Sequence, residues 1–128
     1  MKILATDMDG TFLDHLGAYD KARLDNLLDA CEAKDYVFTV ASGRALLALE
    51  ELFDGFVDRI AIIAENGALV QYKGEVLFES KLDPKDYLEI ADTTLALPTC
   101  EGILLSGRRG AYAPNDADPA YLLSLIHI

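Results

Sequence analysis

The sequence predicts an α/β protein in which a parallel sheet with helices on both faces is followed by the start of an α+β module. Runs at 2–6, 36–41 and 60–64 are apolar along nearly their whole length, as the buried strands of a parallel sheet are. Helical patterns at 21–34 and 44–53 alternate with these runs. Strands and helices in alternation favour parallel strands joined by helical crossovers.

Each predicted helix has a start signal and one apolar stripe. Asp20 can cap the first helix, and Ser42 can cap the second, which Gly55 follows. The apolar positions are Leu24, Leu27, Leu28 and Cys31 in the first helix, and Leu46, Leu49 and Phe53 in the second. In the first helix they follow the spacing i, i+3, i+4, i+7, which makes one buried face.

A β-hairpin is predicted after the third strand. Its strands are 68–72 and 75–79, and the dipeptide Lys73-Gly74 lies between them. Glycine takes positive φ without strain, as a tight hairpin turn requires. We therefore expect the sheet to continue past the parallel strands with an antiparallel pair.

The character of the chain changes after residue 82. Asp83-Pro84 carries a capping residue and a proline at the first helical position, and this helix ends before Pro98. The remaining signals are short strands at 102–106 and 110–113 around Arg108-Arg109, and a last helix from Asp118-Pro119. We predict two domains, 1–82 and 83–128. Residues 122–128 are apolar almost throughout, so we expect an abrupt truncation or a non-native tail there.

Composition excludes several classes of partner. The chain has 22 acidic and 11 basic residues, a net charge of −11, which argues against nucleic acid and against an anionic membrane surface. No apolar run is long enough to span a bilayer, and Asp7 comes too early for a signal peptide. Two cysteines, Cys31 and Cys100, make no disulfide framework, and reduced thiols favour a cytoplasmic protein.

The first chemical motif is Asp7-Met8-Asp9-Gly10-Thr11, directly after the first strand. Open parallel sheets bind ligands at the carboxyl ends of their strands. Two carboxylates on a loop that turns at Gly10 can face one ligand. One can attack phosphorus, the other can shuttle a proton, and both suit Mg²⁺. The alternative is an Asp-rich turn that only ends the strand.

Two further motifs follow the second and third strands. Ser42-Gly43-Arg44 offers a hydroxyl and free N–H groups, which together make an anion site. Ser42 alone could be only a helix cap, and Arg44 could be a substrate contact or a surface helix residue. Asn66 precedes Gly67, and substrate contact and turn chemistry explain it equally well.

Asp7-Met8-Asp9-Gly10-Thr11 resembles the DxDGT signature of the haloacid dehalogenase superfamily, and the segment 3–13 with Ser42-Gly43-Arg44 resembles its Cof-type, IIB sugar-phosphatase-like branch. The resemblance implies a Rossmann-like core followed by a cap. It implies that Asp7 forms an aspartyl-phosphate and that Asp9 acts as acid and base. Mg²⁺ would be held by the Asp7 carboxylate and the Asp9 carbonyl. The signature residues, with Ser42 and Gly43, would bind phosphate, Thr11 helping to fix the loop.

The resemblance extends to about residue 121 and covers less than half of a typical member. The part beyond it would carry a lysine and an acidic pair that complete the site. The first strand would then lie in mid-sheet in a whole member, and here it would be an exposed apolar edge. We therefore expect the isolated chain to be unstable and nearly inactive.

Three functions are compatible with these motifs. The first is a phosphatase acting on small phosphorylated metabolites, such as sugar phosphates or a flavin-type phosphate. The others are a non-catalytic phosphate-binding or regulatory domain, and a phosphotransferase or mutase that shares the aspartyl-phosphate.

Overall fold

The computed structural model of the chain describes residues 1–114. The chain divides into two compact units, Met1–Glu79 and Ser80–Ile128, of which the second is described as far as residue 114. The helix expected from Asp118-Pro119 and the apolar stretch 122–128 lie outside the described residues. Within residues 1–114, no helix is long and apolar enough to cross a membrane.

The first unit contains five strands and two helices. The strands are β1 (Lys2–Asp7), β2 (Tyr36–Ala41), β3 (Ala61–Ala64), β4 (Leu69–Tyr72) and β5 (Glu75–Glu79). The helices are α1 (Lys21–Ala33), after β1, and α2 (Leu46–Leu52), after β2. Asp20 caps α1 as predicted, since its side chain accepts a hydrogen bond from Arg23 N. The α/β class predicted from the sequence is confirmed.

The five strands form one mixed sheet in the order β1-β2-β3-β4-β5. The first three strands run parallel, and β4 and β5 continue the sheet as an antiparallel hairpin. The predicted turn residues Lys73 and Gly74 both have positive φ, 50° and 81°. Such a pair matches the right-handed twist of the two strands it joins.

One hydrophobic core joins both helices to the same face of the sheet. Val40 lies opposite Ile62 in the parallel register, so their side chains share a face. The core cluster contains these two side chains together with Leu28 from α1 and Leu49 from α2. The sequence predicted helices on both faces of the sheet. In this unit both α1 and α2 lie on one face, because the crossovers from β1 to β2 and from β2 to β3 progress in the same direction across the sheet.

The strand β1 is an edge of the sheet, as the sequence led us to expect. Among residues 1–114 it pairs only with β2, and its side chains Ile3 and Leu4 are 67% and 41% exposed. An exposed apolar edge strand is able to pair with a strand of another chain.

An arginine links α1 to the segment before β3. The Arg59 guanidinium donates to Asp25, Asp29 and Glu32, which lie on successive turns of α1. The hydrogen bonds to Glu32 and Asp29 raise the pKa of Arg59. The contacts hold the entry to β3 against α1, although each surface pair adds little stability.

The second unit, as far as it is described, contains one helix and one hairpin. The helix α3 (Pro84–Leu95) begins at the predicted cap, since the Asp83 side chain accepts from Lys85 N. The strands β6 (Leu105–Gly107) and β7 (Gly110–Tyr112) pair antiparallel around Arg108-Arg109. The strand β6 begins at Leu105, three residues later than the predicted start at residue 102.

Candidate functional site

The sheet register brings the ends of three strands to the same level. Asp7, the last residue of β1, lies beside Ala41 of β2, which lies beside Ile63 of β3. Neighbouring strands are about 4.8 Å apart, so the loops that leave them start close together. An open pocket of about 340 Å³ lies there, lined by Asp7, Ala41, Ser42, Gly43, Ile63, Asn66 and Gly67.

The first loop turns immediately after Asp7. Residues Met8–Phe12 form one π-type helical turn in which Gly10 has φ 74°, so the reversal occurs at the predicted glycine. Met8 is buried in the core. Leu13 N donates to Met8 O and closes the turn. The Thr11 hydroxyl makes no hydrogen bond to another residue among 1–114, so its role in fixing the loop stays a prediction.

The second loop differs from the sequence prediction. The helix α2 begins at Leu46 with Ala45 at its cap position, so Ser42 does not cap it. The Ser42 hydroxyl instead accepts from Arg44 N at 3.2 Å, and Ser42 N donates to Ile63 O. This bond to the end of β3 holds Ser42 in an extended loop. The second loop therefore presents a hydroxyl and backbone N–H groups to the pocket, and not the N-terminus of a capped helix.

Arg44 has a partner that the sequence did not indicate. Its Nε donates to Asp9 Oδ2 at 3.2 Å, and its Nη2 lies 2.5 Å from Asp9 Oδ1. The Arg44 side chain is 24% exposed and precedes α2, so it is not the surface helix residue considered above. This two-bond ion pair links the first loop to the second.

The third loop has an unusual backbone. Glu65, Asn66 and Gly67 have φ of 53°, 54° and 94°, three left-handed residues in succession. Asparagine tolerates this conformation, but glutamate does so at a cost. Glu65 N donates to Arg44 O, and Asn66 N donates to Ser42 O. Two main-chain hydrogen bonds therefore fasten the third loop to the second.

A carboxylate near the first loop has a structural role. Asp14 Oδ1 accepts from Leu16 N and Ala18 N. These backbone hydrogen bonds, that from Ala18 first, hold the pKa of Asp14 below its ordinary value. Asp14 thus supplies the contacts that shape the loop between the first motif and α1.

Residues 4–124 match the model of the haloacid dehalogenase-like hydrolases. The chain belongs to this family. Membership was the prediction drawn from Asp7-Met8-Asp9-Gly10-Thr11, and the match confirms it.

Three relatives show how much of a family member this chain represents. A 5-amino-6-(5-phospho-D-ribitylamino)uracil phosphatase, YbjI of Escherichia coli K12, is 32% identical over 120 residues, which are 94% of this chain and 44% of the enzyme. SMU.1108c of Streptococcus mutans superposes with a TM-score of 0.86 at 30% identity, over 98% of this chain and 47% of that protein. The subclass IIB sugar phosphatase BT4131 shares the fold, with a TM-score of 0.65 at 22% identity, over 99% of this chain and 50% of that protein. The chain thus spans about half the length of these haloacid dehalogenase relatives.

The site contains some of the ligands that the Mg²⁺ expected for a haloacid dehalogenase enzyme would need. Asp7 lines the pocket, and Asp9 follows it by two residues in the turn Met8–Phe12. Mg²⁺ takes hard oxygen ligands and keeps several waters, so the Asp7 carboxylate and the Asp9 carbonyl fit it. Among residues 1–114, no group of three or more acidic, histidine or cysteine side chains is placed to hold a metal.

Proposed function

We propose that this chain carries the nucleophile-bearing part of a magnesium-dependent phosphatase that hydrolyses phosphomonoesters through an aspartyl-phosphate. The observation that carries the proposal is the shared pocket of Asp7 and Ser42 at the carboxyl ends of parallel strands. A carboxylate beside a hydroxyl and N–H groups suits a phosphoryl group, because the donors hold its oxygens while the carboxylate meets phosphorus.

In the proposed reaction, an oxygen of Asp7 forms a bond to phosphorus and the ester P–O bond breaks. Asp9 gives a proton to the leaving oxygen, and then takes one from the water that attacks the aspartyl-phosphate. The attack releases inorganic phosphate and regenerates Asp7. Asp9 must leave Arg44 for this, and we propose that the arriving phosphate becomes the new partner of the guanidinium.

Phosphate binding is assigned to groups around the pocket. The Ser42 hydroxyl already accepts from Arg44 N, so its own proton is directed to another acceptor. Gly43 N–H, which bonds to no residue among 1–114, is a second donor. The N–H groups of the turn from Met8 to Thr11 complete the set. Arg44 and Asn66 contact the substrate in this proposal.

Mg²⁺ would be held by the Asp7 carboxylate and the Asp9 carbonyl. When bound, it supplies positive charge that stabilises the transferring phosphoryl group. The chain's net charge of −11 repels a phosphate dianion, which makes local positive charge at this pocket necessary. Two protein ligands bind Mg²⁺ weakly, so we expect low turnover from this chain alone.

The substrate is proposed to be a small phosphorylated metabolite with a polyhydroxylated carbon chain, such as a sugar phosphate. Two relatives support this class of substrate, since YbjI is a phosphatase of a phosphoribityl compound and BT4131 is a sugar phosphatase. We propose no nucleic-acid or membrane partner, and a cytoplasmic location in keeping with the free thiols Cys31 and Cys100.

Trapping the nucleophile tests the proposal. With beryllium fluoride and Mg²⁺, we expect a ¹⁹F resonance that needs the metal, disappears in Asp7→Asn and persists in the control Asp14→Asn. Persistence of the signal in Asp7→Asn would contradict the proposal. With p-nitrophenyl phosphate we expect only slow hydrolysis, which Asp7→Asn abolishes; fast turnover would refute the expectation that this chain is nearly inactive.

Two alternatives are distinguished by the same experiments. A phosphate-binding domain without catalysis gives no metal-dependent adduct at Asp7, and the partial metal site among residues 1–114 favours this as the second candidate. A phosphotransferase or mutase gives the adduct but passes the phosphoryl group to an alcohol acceptor, so that little inorganic phosphate is released.

A further inference from the structure

The inference concerns the contact between Gly43 and Asn66, which belong to different loops of the pocket. A Cβ built on Gly43 would lie 2.8 Å from Asn66 Oδ1 and 3.3 Å from Asn66 Nδ2. The first distance is closer than non-bonded atoms tolerate, and the second is tighter than most such contacts. The space beside the Gly43 Cα is therefore filled by the Asn66 carboxamide. Gly43 does not have a left-handed φ, so the close packing of the Asn66 carboxamide, and not backbone strain, favours a glycine here.

Asn66 also holds the same peptide through its backbone. Its N–H donates to Ser42 O at 3.2 Å, and that carbonyl belongs to the peptide between Ser42 and Gly43. In a trans peptide the carbonyl and the N–H point in opposite directions. A hydrogen bond that fixes the Ser42 carbonyl therefore also fixes the direction of the Gly43 N–H.

The conformation of the third loop places Asn66 for both contacts, the packing of its side chain against Gly43 and the backbone hydrogen bond to Ser42 O. Glu65 and Asn66 are both left-handed, a conformation that asparagine tolerates and that is strained for glutamate. Glu65 N donates to Arg44 O, so the loop is attached to the second loop on both sides of Gly43. Strain of this kind persists where the surrounding structure holds it, and such places are common at functional sites.

We propose that Asn66 is a positioning residue for phosphate, which acts through Gly43 by orienting the Ser42–Gly43 peptide so that the Gly43 N–H meets a phosphoryl oxygen. This inference rests on the proposed function, because it assigns phosphate to the same pocket. In this inference the glycine at position 43 makes room for the Asn66 carboxamide, and the ligand benefits indirectly.

The test compares phosphate binding in the chain and three variants. Asn66→Gly removes the carboxamide and keeps the left-handed backbone favourable. Gly43→Ala pushes the carboxamide away at small cost to the fold, because the displaced atoms are the end of a side chain. The third variant carries both changes. Gly107→Ala, at a glycine outside the pocket whose φ is also not left-handed, is the matched control.

The measurement is NMR titration with inorganic phosphate in the presence of Mg²⁺, followed at the amide of residue 43. We expect a phosphate-dependent downfield shift in the unmodified chain and in Gly107→Ala. Asn66→Gly and Gly43→Ala should each weaken binding by about tenfold, the size of one lost hydrogen-bond contact, and reduce this shift. The double variant should also be weaker by about tenfold, because both changes break the same contact.

Other results would overturn the inference in distinguishable ways. Losses that multiply to about a hundredfold in the double variant mean that Gly43 and Asn66 act independently. An unchanged residue-43 shift in Asn66→Gly, a variant that keeps the backbone N–H of residue 66, means that the Asn66 carboxamide does not orient the Gly43 N–H. Either result refutes the positioning role and leaves the proposed function standing. Absence of any phosphate-dependent shift in the unmodified chain contradicts phosphate binding at the pocket, and the inference falls with it.

Discussion

Breaking the ion pair between Asp9 and Arg44 should uncouple the first and second loops of the site. The pair has two contacts, Nε to Oδ2 at 3.2 Å and Nη2 to Oδ1 at 2.5 Å, with side chains that are 52% and 24% exposed. Exposed pairs contribute about 0.2–1 kcal/mol, and the two-bond geometry favours the upper end. We therefore predict a coupling free energy of about 1 kcal/mol between Asp9 and Arg44.

A double-mutant cycle measures this coupling. The free energy of unfolding in urea is determined for the unmodified chain, Asp9→Ala, Arg44→Met and the double variant. Arg23→Met, which removes an arginine from α1 outside the pocket, controls for the general loss of positive charge. Because the Debye length falls to about 3 Å in 1 M salt, the coupling should shrink there. A coupling below about 0.3 kcal/mol at low salt would refute the reasoning, since it would mean that the contact contributes no stability.

Two further predictions concern the loop after the first motif and the sheet edge. The pKa of Asp14 is lowered in the folded chain by N–H donors of Ala18 and Leu16, so the stability it adds is complete above its ordinary value of 3.8 and is lost as the pH falls through the folded-state pKa. A ¹³C titration of the folded chain should give a midpoint below 3.8, and a midpoint at or above it contradicts the assignment. Ile3→Lys should reduce self-association in sedimentation velocity, because a charge on β1 discourages strand pairing. The control Leu82→Lys makes the same charge change away from the sheet, and an equal reduction there would argue against the edge.

Local signals explain why most elements were predictable. Asp20 and Asp83 cap their helices through their own side chains, and each accepts from an N–H two or three residues later. Lys73 and Gly74 form the turn through their own backbone angles. Signals of this kind act over a few residues, so they can be recognised without knowing what packs around them.

The start of α2 was mispredicted because distant residues compete for the local signal. Ser42 has the residue type of a helix cap, but its N–H bonds to Ile63 O and its carbonyl accepts from Asn66 N. These partners lie more than twenty residues away in the chain. They hold Ser42 in the loop, and the helix starts at Leu46 instead. No pattern within the second motif could have indicated this.

The sequence by itself determined the succession of strands and helices and the family, because apolar periodicity and Asp7-Met8-Asp9-Gly10-Thr11 are properties of short segments. It also indicated that Asp7, Ser42 and Asn66 lie at the ends of successive strands. Only the tertiary structure decided how these ends interlock, with Arg44 on Asp9 and Asn66 against Gly43. The physical reason is that the register of a parallel sheet joins residues far apart in the chain, and contacts of a few ångströms between their loops depend on that register.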